Sequence, residues 1–173
     1  MTGAPCAHAV STVRAIGVKI RLVDSHHIPI KAVAIIRRAR DGALLVVENT
    51  DPATGIGYQR GLGGQVEFGE KSEETVVREL NEEIGEAVRV VKLLGVLENH
   101  FSYAGALAHE IVFVHEAEFV NPEAYERATF TFLDATEGNE KSHPVSWRAR
   151  SAEFPLMVPP GVERLLDVPR AST

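Results

Sequence analysis

A change of hydrophobic period constrains this chain most. In Glu73–Ile84, Val77, Leu80 and Ile84 fall on one helical stripe with Val76 beside it, whereas the other apolar runs are short and strand-like. Ser72 suits the N-cap, Glu73 and Glu74 suit the positive end of the helix dipole, and Gly85 is the expected stop. Strands and helices intermixed along one chain imply a mixed α/β sandwich.

Ile30–Ile36 and Ala43–Val47 read as strands joined by an Asp41-Gly42 hairpin turn. Asn49–Gly61 holds Asp-Pro and three glycines and reads as a loop, and Gln65–Phe68 as a short strand. Strands are predicted at Val88–Leu97, Ile111–Phe119, Thr129–Leu133 and Val145–Arg148. Ser102–His109 reads as a polar turn, Asn121–Arg127 as a loop or helical turn, Asp134–His143 as a polar loop, and Gly161–Asp167 as a closing helix. Residues 1–28 are expected to be an extension in which Ala15–Val23 can add a strand, residues 29–169 one domain, and 170–173 a tail. With 173 residues, 45% of them hydrophobic, the chain suits one core.

The formal net charge is −6 and no basic block stands out, which argues against extended nucleic acid as a partner. No run approaches the ~18 apolar residues of a membrane span. Pro5, His8, Ser11 and Thr12 interrupt the N-terminus before Arg14, so no secretory signal is expected. Cys6 is the only cysteine, so no internal disulfide forms, and a cytoplasmic setting is expected.

The segment Arg78–Glu86, RELNEEIGE, crowds Glu79, Glu82 and Glu83. At ~100° per residue these three share an arc of about 100° beside the buried stripe. Like charges at i, i+3 and i+4 cost a few tenths of a kcal/mol per pair, and partial burial adds to the repulsion. Two readings stand: a solvated acidic face balanced by Arg78 and scattered lysines, or a site for a hard cation such as Mg²⁺ or Mn²⁺. Just upstream lies Gly61–Glu70, GLGGQVEFGE, whose four glycines permit tight turns and close backbone approach. It is not a P-loop, because Glu70 intervenes between Gly69 and Lys71.

Gly64, Glu70, Arg78, Glu79, Leu80, Glu82, Glu83 and Gly85 together form G-x5-E-x7-R-E-L-x-E-E-x-G. This pattern resembles the signature of the Nudix hydrolases. It departs at the end, where Glu86 stands in place of an aliphatic residue. A looser resemblance runs from Lys31 to Leu166. The resemblance implies an α/β/α sandwich with a mixed sheet and the box as loop–helix–loop. It also implies hydrolysis of a nucleoside diphosphate linked to another group, with Mg²⁺ or Mn²⁺ as cofactor.

By this resemblance Glu79, Glu82 and Glu83 hold the metal, with the Gly63 carbonyl as a further ligand, and one glutamate, most often at the position of Glu79, is the general base. Arg78 orients a box glutamate, and Glu70 pairs with Arg78 or reaches the metal through water. Relatives often add a carboxylate from outside the box. Glu110 is the first candidate, with Glu98, Glu116 and Glu118 behind it. Arg60 is placed to contact phosphate. Tyr103, 17 residues past Glu86, is similar in position to a tyrosine of the dinucleoside-polyphosphate subgroup and can stack on a base. His26, His27, His100, His115 and His143 show no metal-ligand spacing. Rival readings are a Nudix-fold isoprenoid-diphosphate isomerase and a non-catalytic nucleotide-binding regulator. A small-molecule nucleotide is the expected partner, its identity open. A homodimer is also open, since dimers are common among relatives.

Overall fold

The computed structural model describes residues 27–132, 144–149 and 156–166. The expectations for residues 1–26, including Cys6 and the strand Ala15–Val23, and for residues 134–143 and 170–173 lie outside them. Strands β1 (Ile30–Ile36), β4 (Leu62–Gln65), β5 (Val88–Tyr103) and β6 (Ala106–Phe119) form one sheet in the order β4-β1-β6-β5. It is mixed: β1 runs parallel to β6 and antiparallel to β4. A second sheet has the order β7-β8-β2-β3-β9, from β2 (Leu44–Thr50), β3 (Gly57–Arg60), β7 (Thr129–Thr131), β8 (Pro144–Arg148) and β9 (Leu156–Val158). Helices α1 (Ser72–Ile84) and α2 (Val162–Leu166) complete the layers, with a short 3₁₀ turn at Pro122–Glu126.

Alternation along β1 divides the core. Ala32, Ala34 and Ile36 face one way and pack with Leu62 and with Val76, Leu80 and Ile84 of α1. Val33 and Ile35 face the other way and pack with Val112, Val114 and, on α2, Val162 and Leu166. The expected mixed α/β sandwich is therefore present, with the box as loop, helix and glycine stop.

Several boundaries differ from the sequence expectations. The Asp41-Gly42 turn forms, with Gly42 at φ 71°, but only Arg37 and Leu44 bridge before the strands part into different sheets. Both sides of β1 are already taken by β4 and β6. The short strand is Leu62–Gln65 rather than Gln65–Phe68, because Leu62 enters the core and Phe68 turns out into solvent. The segment 49–61 is not all loop. A tight turn at Asp51, whose carboxylate accepts from the Ala53 N–H at 2.7 Å, lets β3 return along β2. The expected polar turn 102–109 shrinks to Ala104-Gly105, at φ 51° and 80°, and the strands continue through on both sides. Two left-handed residues match the twist of a hairpin, but Ala at the first is unusual and hides the signal.

Helix α1 begins at Ser72, with Lys71 rather than Ser72 as its N-cap, and the Lys71 N–H donates to the Glu74 carboxylate at 2.9 Å. Gly85 ends the helix as expected, at φ 69°. The buried stripe is rotated: Val77 is 40% exposed, whereas Glu83 is only 7% exposed. Leu80→Ala should therefore lower stability by ~2–5 kcal/mol, while Val77→Ala should cost ~0.5 kcal/mol or less. Urea midpoints of the two variants check this, and equal losses would place the stripe where Val77 is core.

Candidate active site

The turn from β4 into α1 gathers charge around one side chain. The Arg78 Nε and Nη2 atoms donate to the two Glu70 oxygens at 2.8 and 3.0 Å. Its Nη1 reaches Glu79 at 2.8 Å and Glu82 at 3.2 Å, and Nη2 also donates to the Gln65 carbonyl at 3.1 Å. One planar fork thus ties the glycine-rich loop to two turns of the helix.

Glu83 turns the other way. Its carboxylate accepts from the Gly63 N–H at 2.9 Å and lies 3.9 Å from an Arg60 nitrogen. This contact explains the rotated stripe: a backbone donor in the neighbouring strand satisfies a carboxylate that would otherwise be buried at a cost. The glycines make the approach possible. Gly63 has φ 137°, and a Cβ there would lie 2.2 Å from the Ala32 carbonyl oxygen. At Gly64 a Cβ would lie 2.2 Å from the Glu79 carboxylate.

Among the described residues, four carboxylates, Glu70, Glu79, Glu82 and Glu83, here lie around two guanidinium groups, Arg78 and Arg60. Burial pushes the Glu79 carboxyl up, helped by the charges of Glu82 and Glu70 and opposed by Arg78. Glu70 goes the other way. The Arg78 hydrogen bonds, with those from Thr75 and the Glu67 N–H, hold it down to about 2. The three carboxylates Glu79, Glu82 and Glu83 are a donor set suited to a hard divalent cation. They are not drawn together into a ready cage, since Glu79 and Glu82 are held by Arg78 and Glu83 by Gly63.

Beyond this geometry, the NUDIX domain family matches residues 28–152. The chain belongs to the Nudix family. A MutT Nudix hydrolase from Burkholderia pseudomallei is similar in structure, with TM-score 0.50 and 25% identity, over 71% of this chain and 84% of that one. The E. coli ORF135 protein is similar with TM-score 0.49 and 21% identity, over 80% and 86% of the two chains. A Nudix hydrolase from Nitrosomonas europaea gives 0.48 and 19%, over 71% and 73%. No curated protein matches. The chain is a hydrolase of the Nudix type.

Of the other residues singled out in the sequence, Arg60 joins this Nudix group through Glu83, and its guanidinium lies 5.6 Å from the Phe132 ring centroid. Tyr103, at the tip of the β5–β6 hairpin, meets Tyr58 edge-on with ring centroids 6.4 Å apart. Tyr58 and Arg60 share one face of β3, so both tyrosines border the same side of the sheet as Arg60. Glu110 stands apart. It is buried on the sheet face away from α1, held by Lys31 Nζ and Asn99 Nδ2, each at 2.8 Å. Glu116 pairs with Lys92 at 3.5 Å and Glu118 with Arg89 at 2.5 Å.

Three features were not anticipated. Glu86, which departs from the family's aliphatic position, is buried and paired with Arg127. The buried His115 Nε2 lies 2.9 Å from Ser72 Oγ, and burial pushes its pKa down. His100, which shows no ligand spacing along the chain, lies across the hairpin from His109 and beside Glu98. None of these pairs is visible in one-dimensional spacing: strand register creates the last, and packing between elements about 40 residues apart creates the other two.

The Glu70–Arg78 link gives a pH test. Its folded pKa is depressed to about 2, so its contribution is complete above the unfolded value near 4.5 and is lost as pH falls between the two. Urea unfolding followed from pH 5 to pH 2 should show a smaller loss for Glu70→Gln than for the wild type. Equal slopes would mean that the link contributes nothing to stability.

Proposed function

We propose that this Nudix protein hydrolyses a pyrophosphate bond in a small nucleoside-diphosphate-linked substrate, with Mg²⁺ or Mn²⁺ held by Glu79, Glu82 and Glu83 and the Gly63 carbonyl. The supporting observation is the gathering of the Glu79, Glu82 and Glu83 carboxylates beside the β4 backbone at Gly63, a set of hard oxygen donors that suits a divalent cation. When bound, such an ion supplies charge neutralisation of the phosphate oxygens and a water of lowered pKa.

The chain's own groups do the rest. Glu79 is the general base: burial raises its pKa toward the working range, where a base accepts a proton readily and returns it. Arg78 aims Glu79 and Glu82. Glu70 serves as the anchor of that guanidinium. Gly63 and Gly64 bring the β4 backbone against the ridge, and the missing Cβ of Gly64 leaves the Glu79 carboxylate its place. Arg60, on the neighbouring strand, meets a substrate phosphate, and Tyr103 with Tyr58 offers a stacking edge to a base. Residues 29–169 form the catalytic unit, which works in the cytoplasm. Glu110, tied to Lys31 and Asn99, supports the hairpin rather than the reacting groups.

Nucleoside triphosphates, nucleotide sugars and dinucleoside polyphosphates, each assayed with Mg²⁺ and with Mn²⁺, should yield phosphate-containing products from at least one class. Glu82→Gln and Glu83→Gln should each lower kcat by ~10²-fold or more while thermal unfolding stays cooperative. Full metal-dependent turnover by Glu82→Gln would overturn the assignment, and rearranged diphosphate without release of phosphate products would point to an isomerase. Gly64→Ala should fold, because the obstructing group is the end of a flexible side chain, yet lose roughly tenfold or more in kcat through displacement of Glu79. Unchanged kcat in Gly64→Ala would remove Glu79 from the role of base.

A further inference from the structure

A second cluster of donor atoms lies on the β5–β6 hairpin, on residues that the hydrolytic reading does not use. Glu98 and His100 are two apart on β5 and therefore share a face. His109 on β6 is the direct cross-strand partner of His100. One carboxylate oxygen of Glu98 lies 3.0 Å from His109 Nε2 and 3.6 Å from His100 Nε2. One donor atom from each of the three residues falls within 4.8 Å of the others. The imidazole rings meet edge-on with centroids 4.0 Å apart.

We propose that Glu98, His100 and His109 form a binding site for a borderline divalent transition metal, Zn²⁺ being the type. A hydrogen bond from His109 to Glu98 accounts for that pair alone. It leaves unexplained why the second imidazole aims its Nε2 at the same oxygen. Tetrahedral zinc with bonds of ~2.0–2.2 Å sets its donors ~3.4 Å apart. The two separations from the Glu98 oxygen bracket that value, and the two imidazole nitrogens lie within 4.8 Å of each other, so side-chain rotations complete the set. Two imidazole nitrogens with one carboxylate oxygen select zinc-like ions over Mg²⁺, which prefers an all-oxygen shell. The glutamate ridge on α1 is all oxygen, so the two sites take different ions. Three protein ligands leave a fourth position open to water or an outside ligand.

The ion would bridge β5 and β6 on the stem of the hairpin whose tip carries Tyr103. The site rests on hairpin register and not on the hydrolytic reading. Its test is calorimetric titration of the full chain with ZnCl₂ in excess Mg²⁺, wild type against His100→Ala/His109→Ala, with Co²⁺ absorption as a second readout. His100 is exposed and His109 partly so, and circular dichroism checks that the variant folds. The wild type should bind one Zn²⁺ that the variant binds roughly tenfold or more weakly, while hydrolysis in Mg²⁺ alone stays unchanged. Loss of the zinc event would support the site whatever the outcome with nucleotides. Identical zinc isotherms for the two proteins, or no zinc uptake by the wild type, would overturn it.

Discussion

The bonds of Arg78 are the constraint from which the site follows. A single guanidinium holds Glu70 with two of its nitrogens, shares a third between Glu79 and Glu82, and reaches the Gln65 carbonyl as well. Its side chain is 27% exposed, so water screens these pairs only in part. Without that fork, the repulsion among glutamates on adjacent turns would be relieved by rotamer changes into solvent. With it, the carboxylates stay along one ridge, and burial keeps the pKa of Glu79 high instead of letting the group swing away.

The ridge also needs a backbone at close quarters, and only glycine allows it. At Gly63 a side chain would collide with the main chain of β1, and at Gly64 with the Glu79 carboxylate. The strand can therefore lie under the helix and present the Gly63 N–H to Glu83. That hydrogen bond meets Glu83 where it turns inward, and the apolar stripe is shifted so that Val77 faces water.

Much of this was legible in the chain. The helix and its Gly85 stop follow from period and local signals, and the pairing of Glu70 with Arg78 is one of the two roles that the family resemblance implied for Glu70. The inward turn of Glu83 was not legible, since an idealised helical wheel carries no information about a donor 20 residues away. Ala104-Gly105 hid a hairpin, because Ala in a left-handed conformation carries no turn signal. That hairpin sets His100 opposite His109, a juxtaposition created by register rather than by sequence distance. Glu86 breaks the family pattern, and Arg127, 41 residues on, pairs with its buried carboxylate. Glu110 was named for its place in the sequence, which says nothing of the Lys31 and Asn99 side chains that hold its carboxylate.

The central claim is that the carboxylates ordered by Arg78 receive a divalent cation. Anomalous diffraction from crystals soaked in Mn²⁺ with a slowly hydrolysed nucleoside diphosphate analogue tests it most directly. The expected result is a manganese peak within coordination distance of the Glu79, Glu82 and Glu83 oxygens, with the diphosphate on its open side. Ordered diphosphate with no manganese on those three side chains would contradict the account.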